Sequence, residues 1–249
     1  MTGNRLLDAL PEDTWRRLCP DLASVAMPAG HVLHGPGLAM DHAYFPATAI
    51  VSKFYLMADG SSCGVALVGP EGMVGLSLFL GGQSSPDQAQ VLRGGHGWRI
   101  PARVLHEEFE RGAALAKLLL AYTHSLLSQT METAACNSRG TLQQRFCRWL
   151  LMNLDRTSSS ELKMTHQAIA DVLGVRRESV SEAAGALQER GLIRYRWGLI
   201  TVLDRHGLER LACNCYSGPA PARSTATVPL PAPGWSGAER GEPLDGIAA

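Results

Sequence analysis

Residues 162–203, LKMTHQAIADVLGVRRESVSEAAGALQERGLIRYRWGLITVL, leave few folds open to this chain. Thr165 is a strong N-cap, and Met164 and Ile169 flank it at the spacing of a hydrophobic staple. Ile169, Val172 and Leu173 continue as one apolar stripe at helical period. Ala170 is small where a second helix can cross closely. Gly174 stands where the chain must turn, and glycine tolerates the positive φ that such turns use. A second helix is predicted from near Arg176 to about Arg190. Its buried face is Val180, Ala183, Ala184 and Leu187, at i, i+3, i+4 and i+7. Gly191 stops it. Leu192–Arg196 and Leu199–Leu203 then alternate as strands around a Trp197-Gly198 turn.

Two short helices about a glycine turn, with a small hairpin after them, form the unit that lays one helix in the major groove of duplex DNA. The polar face at the start of the second helix carries Arg176, Arg177, Glu178, Ser181 and Glu182. An arginine donates two parallel hydrogen bonds to guanine, and a glutamate accepts from cytosine. Thr165 and Gln167 at the start of the first helix complete the candidate DNA-contacting set, with Arg194 and Arg196 of the hairpin available to phosphates. A plain αα-hairpin with a solvated charged face would share the pattern Ala170-x3-Gly174-x5-Val180. The ordered run of cap, small residue, glycine turn, arginine-rich helix start and basic hairpin favours DNA.

The run Arg177-Glu178-Ser179-Val180-Ser181, and after it Leu187-Gln188-Glu189-Arg190-Gly191-Leu192-Ile193, resembles the DNA-binding domain of the Crp/Fnr superfamily, bacterial regulators related to the cyclic-AMP receptor protein. The resemblance implies that Arg177 and Glu178 read bases. It also implies a homodimer on an inverted-repeat operator, with RNA polymerase as a candidate further partner. Two positions depart from the family. Relatives often carry Ser where this chain has Arg176, and Arg where it has Glu182. The second change reverses a charge on the DNA-facing side, so the operator is expected to be the chain's own.

The formal net charge of the 249 residues is zero, but it is unevenly spread. Residues 1–138 carry 9 Lys/Arg and 12 Asp/Glu, while residues 139–212 carry 12 and 8. The positive charge therefore lies with the helix pair, and salt-sensitive binding through a few arginines is expected. Cys19, Cys63, Cys136, Cys147, Cys213 and Cys215 are scattered, without the paired spacing of a zinc site, so no metal is expected. No signal-peptide pattern or membrane-length apolar run is seen, and a cytoplasmic location is expected.

From about Val25 to Ile100, short apolar stretches alternate with glycine-rich and polar turns, which predicts a small barrel or jelly roll. Met57, Met73, Phe54, Tyr55, Leu76 and Phe79 are apolar candidates for its interior. This half resembles the β-roll effector domain of the same superfamily, and the similar stretch is Gly69–Gln90. In relatives that bind cyclic nucleotides, a glycine directly precedes the glutamate that holds the ribose. An Arg-Ser or Arg-Thr pair about ten residues on holds the phosphate. Here Leu76 comes directly after Gly75, and the later segment reads Gln83-Ser84-Ser85-Pro86-Asp87. Burying a cyclic phosphate without a cationic partner costs several kcal/mol. The cassette around Gly69, Gly72, Gly75 and Leu76 is therefore degenerate, its glycines serve turns and close packing, and cyclic AMP is not expected as the effector. No cofactor is expected, and the small-molecule effector is unknown. His31, His34, His42 and His96 are read as ordinary solvated or hydrogen-bonded histidines.

Residues 104–137 read as one long helix. Leu115, Leu119, Tyr122 and Leu126, continued by Gln129 and Thr133, form a coiled-coil-like seam for a partner copy. Leu118, Leu127 and Met131 lie to the side, toward the roll. The expected organisation is α+β: a β-roll over 1–103, a dimerisation helix over 104–137, a winged helix-turn-helix over 138–212 and a disordered tail over 213–249. No nucleophile–base pair, metal pair or phosphate loop points to an enzyme. The second reading is a ligand-sensing module whose helix pair serves protein contacts in place of DNA.

Overall fold

In the computed structural model of the chain, residues 1–216 are described apart from Gln83 and Ala113. Helices α1 (Arg5–Asp8) and α2 (Glu12–Leu18) open the chain, separated by Pro11. Asn4 is fully buried and caps α1 through its Oδ1. Its Nδ2 donates to the carbonyls of Pro46 (2.8 Å) and Gly72 (2.9 Å), which pins the helix to two distant segments of the chain.

The expected roll is present. Its strands are β1 (Ala23–Met27), β2 (Val32–His34), β3 (His42–Pro46), β4 (Ile50–Leu56), β5 (Ser62–Val68), β6 (Gln88–Arg93) and β7 (Gly95–Pro101). They form two antiparallel sheets, in the orders β1-β7-β3 and β2-β6-β4-β5. Phe45, Val51, Met73, Val74, Val91 and Ile100 fill the space between them. Of the expected interior residues, Met73 and Phe79 are inside and Leu76 is half-buried against them. Phe54 is buried on the other side of the sheet, in the C-terminal core. Tyr55 and Met57 are instead half exposed, at 48% and 50%. Strand β4 pairs with β6 only as far as Phe54 but with β5 as far as Leu56, so the ribbon outruns its sheet and offers these side chains no cover.

The expected single helix is two. Helix α3 (Ala102–Glu110) and helix α4 (Ala114–Arg139) are separated at Gly112, whose φ of 77° a side-chain-bearing residue rarely adopts. The face of α4 assigned to a partner copy is corrected by the structure. Leu115, Leu119, Tyr122 and Leu126 are buried against the chain's own roll. The Tyr122 ring lies so close over Gly72 that a Cβ there would sit 2.4 Å from it, and the phenol donates to the Met73 carbonyl at 3.0 Å. Gln129 extends the same face: its amide bonds both the N–H and the carbonyl of Leu67 on edge strand β5 (2.7 and 3.2 Å). Leu127 and Met131, assigned to the roll, are exposed together with Leu120. Heptad-like spacing identifies apolar faces; it does not say which face meets the rest of the chain.

Helix α5 (Leu142–Leu154) begins at a capping box formed by Thr141 and Gln144. After it come β8 (Glu161–Lys163), α6 (His166–Leu173), α7 (Arg177–Glu189), β9 (Ile193–Arg196), β10 (Leu199–Val202) and α8 (Arg205–Leu211). The wing is three-stranded, β8-β10-β9, with β8 an addition to the predicted hairpin. Ile50, Phe54 and Leu67 of the roll share one continuous core with α5, α6 and α7. Helix α6 rests directly on β5, where a Cβ at Gly64 would come within 2.8 Å of a Val172 methyl and 2.9 Å of the Val172 carbonyl oxygen. Ser62 Oγ donates to the Asp171 carbonyl at 3.2 Å.

Residues 213–216, assigned to a structureless tail, are docked. Cys213 is buried, and the Tyr216 hydroxyl reaches Asp155, which also pairs with Arg205. These buried partners compensate for the entropy of ordering the segment. The rest of the expected tail, 217–249, lies outside the described residues. No helix among those described is long and apolar enough to cross a membrane. Gly64→Val should lower folding stability by about 1–3 kcal/mol, because the added methyls meet the backbone of α6. Urea unfolding monitored by tryptophan fluorescence measures this; an unchanged midpoint would contradict the α6–β5 contact.

Candidate nucleic-acid interface

Thr165 caps α6 as its position predicts, its Oγ1 accepting from the Ala168 N–H at 3.1 Å. Ile169, Ala170, Val172 and Leu173 are buried. Gly174 ends the helix at φ 63°, ψ 43°, and the chain reverses into α7. Val180, Ala184 and Leu187 bury the inner face of α7, with Ala183 at its margin. The outer face at its start presents Arg176, Arg177, Glu178 and Glu182, all exposed. Arg176 is the N-cap residue and makes no side-chain cap bond. The unpaired amides and partial positive charge of a helix start therefore lie beside the two arginines, a setting suited to an anionic polymer. Among the described residues, no ion pair involves Arg176, Arg177, Arg194 or Arg196.

Besides Thr165, two predicted contact residues have internal partners. The Ser181 hydroxyl sits 2.8 Å from His166 Nδ1 and donates to the Arg177 carbonyl at 3.2 Å. Gln167 is exposed, with its amide on Asp171 at 2.7 Å. His166 is the site residue that sequence reasoning missed. Its ring stacks on Tyr195 at 4.3 Å, and the Tyr195 hydroxyl donates to the Met164 carbonyl at 3.0 Å. Burial, aided by the nearby Arg177 charge, pushes the His166 imidazole below its ordinary value, and burial raises the Tyr195 phenol. The neutral histidine thus ties α6, α7 and β9 together. The available signal was an aromatic-capable residue directly after the cap, which on its own is weak.

The wing tip is Trp197-Gly198, with φ of 53° and 76°, as a two-residue hairpin turn with right-handed strand twist requires. Arg194 and Arg196 share one exposed face of β9, opposite Tyr195. Other arginines of this domain serve the fold. Arg145 holds Asn137 Oδ1 (3.1 Å) of α4 and the Leu173 carbonyl at the end of α6, and Arg148 holds Thr133 (3.1 Å) and Glu132 (3.5 Å) of α4.

In the roll, the chain's own atoms close the cassette. Gly69 abuts Arg156, Gly72 abuts Tyr122, and Gly75 turns at φ 113° into a 3-10 turn at Leu76–Leu78. Gln83 lies outside the described residues. Asp87 is buried, paired with Lys53 at 3.3 Å and close to His34 at 3.8 Å. Burial pushes the His34 imidazole below its ordinary value. Arg93, the first arginine after the loop, is bonded to Thr157. Among the described residues, no three His, Cys, Asp or Glu side chains are grouped to hold a metal ion.

A roll, a long helix and a helix pair with an exposed arginine-rich helix start together define a helix-turn-helix DNA-binding regulator. Residues 144–211 match the family model of the Crp-like helix-turn-helix domain. The structure of TTHA1359, a Crp/Fnr-family transcriptional regulator of Thermus thermophilus, is similar at 26% identity and a TM-score of 0.62, over 76% of this chain and 98% of that one. FixK2 of Bradyrhizobium japonicum is similar in fold at 21% identity and a TM-score of 0.66, over 77% of this chain and 97% of that one. No curated protein matches the chain by sequence. Residues 144–211 thus form a Crp-like helix-turn-helix DNA-binding domain, and the chain as a whole is similar to Crp/Fnr-family transcriptional regulators.

Proposed function

We propose that the protein is a homodimeric, sequence-specific regulator that binds an inverted-repeat operator and is not controlled by cyclic AMP. The observation that carries this reading is the pair Arg176 and Arg177, exposed at the start of α7 and free of ion pairs among the described residues. Arg177 and Glu178 read base edges, Arg176 and Glu182 set the flanking preference, and Thr165, Gln167, Arg194 and Arg196 face the phosphates. Ser181 acts by holding His166, and through it the wing. The domain arrangement is a roll, a long helix from 114 and a DNA-binding domain after the Gly140 break. On this reading the chain is a regulator in place of a catalyst, working in the cytoplasm on the DNA that RNA polymerase transcribes.

The dimer seam is the exposed face of α4. Leu120, His124, Leu127 and Met131 are spaced by four, three and four residues, the period at which two identical helices pair. This replaces the seam of Leu115, Leu119, Tyr122 and Leu126. Two paired copies present two α7 helices about 34 Å apart, one turn of DNA. In the roll, the segment where nucleotide-binding relatives carry an arginine holds the buried Asp87, and the Lys53 ammonium beside it is already paired with that carboxylate, which leaves a cyclic phosphate without a free cation there.

Sequencing the duplexes that the purified protein selects from a random pool should return an inverted repeat. On that operator, Arg177→Ala should cost roughly 1–3 kcal/mol and relax one base position. Arg194→Ala should weaken all duplexes about equally. Unchanged gel shifts with Arg177→Ala would refute the placement of α7. Leu127→Glu should raise the dimer dissociation constant at least about tenfold in sedimentation equilibrium; no change would remove the seam. Calorimetry with cyclic AMP and cyclic GMP should show no binding, and a micromolar isotherm with either would overturn that part of the reading.

A further inference from the structure

The C-terminal end of α4 and the segment after α8 meet at two thiols. Cys136 and Cys213 are 77 residues apart, both buried, and their sulfurs lie 2.7 Å from each other. Cys215 lies two residues on and is more open than either. Gly140, the break between α4 and α5, packs against Cys136: a Cβ there would come within 2.7 Å of the Cys136 carbonyl oxygen and 3.3 Å of its sulfur. The thiols therefore sit on the joint through which the roll and α4 connect to the helix pair.

We propose that Cys136, Cys213 and Cys215 form a dithiol relay that reduces a hydroperoxide and leaves a Cys136–Cys213 disulfide. Cys215, as thiolate, attacks one oxygen of hydrogen peroxide. The O–O bond breaks, water departs with a proton, and Cys215 becomes a sulfenic acid. The Cys213 thiol then attacks the Cys215 sulfur, an S–S bond forms, and the hydroxyl leaves as a second water. Finally the Cys136 thiolate attacks the Cys213 sulfur, and the Cys213–Cys215 bond breaks. Cys215 leaves as thiolate and takes up the proton that Cys136 gave. In sum, two thiols and one peroxide yield one disulfide and two waters. Burial raises the Cys213 and Cys215 thiols above their ordinary value, which slows the thiolate steps.

The product staples the end of α4 to the end of the DNA-binding domain across Gly140. It fixes how the helix pair stands on α4, and with that the spacing of the two α7 helices in a dimer. The disulfide does not depend on the DNA-binding reading; its effect on operator affinity does.

The test uses the full chain, reduced with a phosphine, freed of reductant and treated with hydrogen peroxide. Peptide mapping without reduction should show a Cys136–Cys213 cross-link within one chain, with two thiols lost, and a thiol reductant should restore both. Cys136→Ser and Cys213→Ser should abolish the cross-link, while Cys215→Ser should form the same bond more slowly. A folded protein in which Cys19 or Cys63 oxidises and Cys136 and Cys213 stay reduced would overturn the assignment, as would a bond only between chains. Operator affinity should change by about fivefold or more on oxidation of the wild type, reversibly, and stay constant in Cys136→Ser. A cross-link without that change would overturn the control of DNA binding and leave the relay standing. A protein that cross-links but binds no duplex in either state would refute the DNA reading alone.

Discussion

The packing of α4 on the roll is the constraint on which the other parts of the molecule depend. Seven strands in two sheets leave an apolar interior that α1 and α2 cover only in part. Leu115, Leu119, Tyr122 and Leu126 close it, and burying side chains of this size stabilises the fold by about 1.5–3 kcal/mol each. Gln129 completes the closure by bonding both main-chain groups of Leu67 on edge strand β5, where the Leu67 carbonyl also accepts from Arg156. With that face occupied, the opposite apolar stripe of Leu120, Leu127 and Met131 is left outside, and the start of α5 is fixed in direction.

The closure also bears on the effector. Tyr122 covers Gly72 and Arg156 covers Gly69, so the glycines that resemble a phosphate-binding cassette are spent on close packing within the chain. Asp87 and Lys53 pair within the roll, with His34 beside them. From the other side, α5 and α6 share a core with the outer face of the four-stranded sheet, and Gly64 lets α6 lie on β5 without a gap. The roll, the long helix and the helix pair are therefore mechanically coupled at Gly64 and around Gly140.

Much of the candidate interface was legible because its signals are local. Thr165 as cap, Gly174 as turn, the apolar face through Val180 and Leu187, and Trp197-Gly198 as hairpin turn each depend on neighbours within a few residues. The engagement of Ser181 was not legible, because its partner His166 is fifteen residues away on another helix. Nor was the fate of Arg145 and Arg148, which look like further cationic contacts for DNA and instead hold the α4–α5 joint. A charged side chain is free or committed according to what the fold brings beside it, and composition does not record that.

The succession of roll, long helix and helix-turn-helix and the lack of the cyclic-nucleotide residues were determined by the sequence alone, since capping, periodicity and residue identity act at short range. Three things were decided only by tertiary structure. One is which stripe of α4 faces inward, since both stripes satisfy the same spacing and only the roll's open interior distinguishes them. Another is that residues 213–216 belong to the folded body, since Cys213 and Tyr216 find buried partners far away in sequence. The last is the meeting of Cys136 with Cys213, two scattered cysteines that long-range packing alone brings into contact.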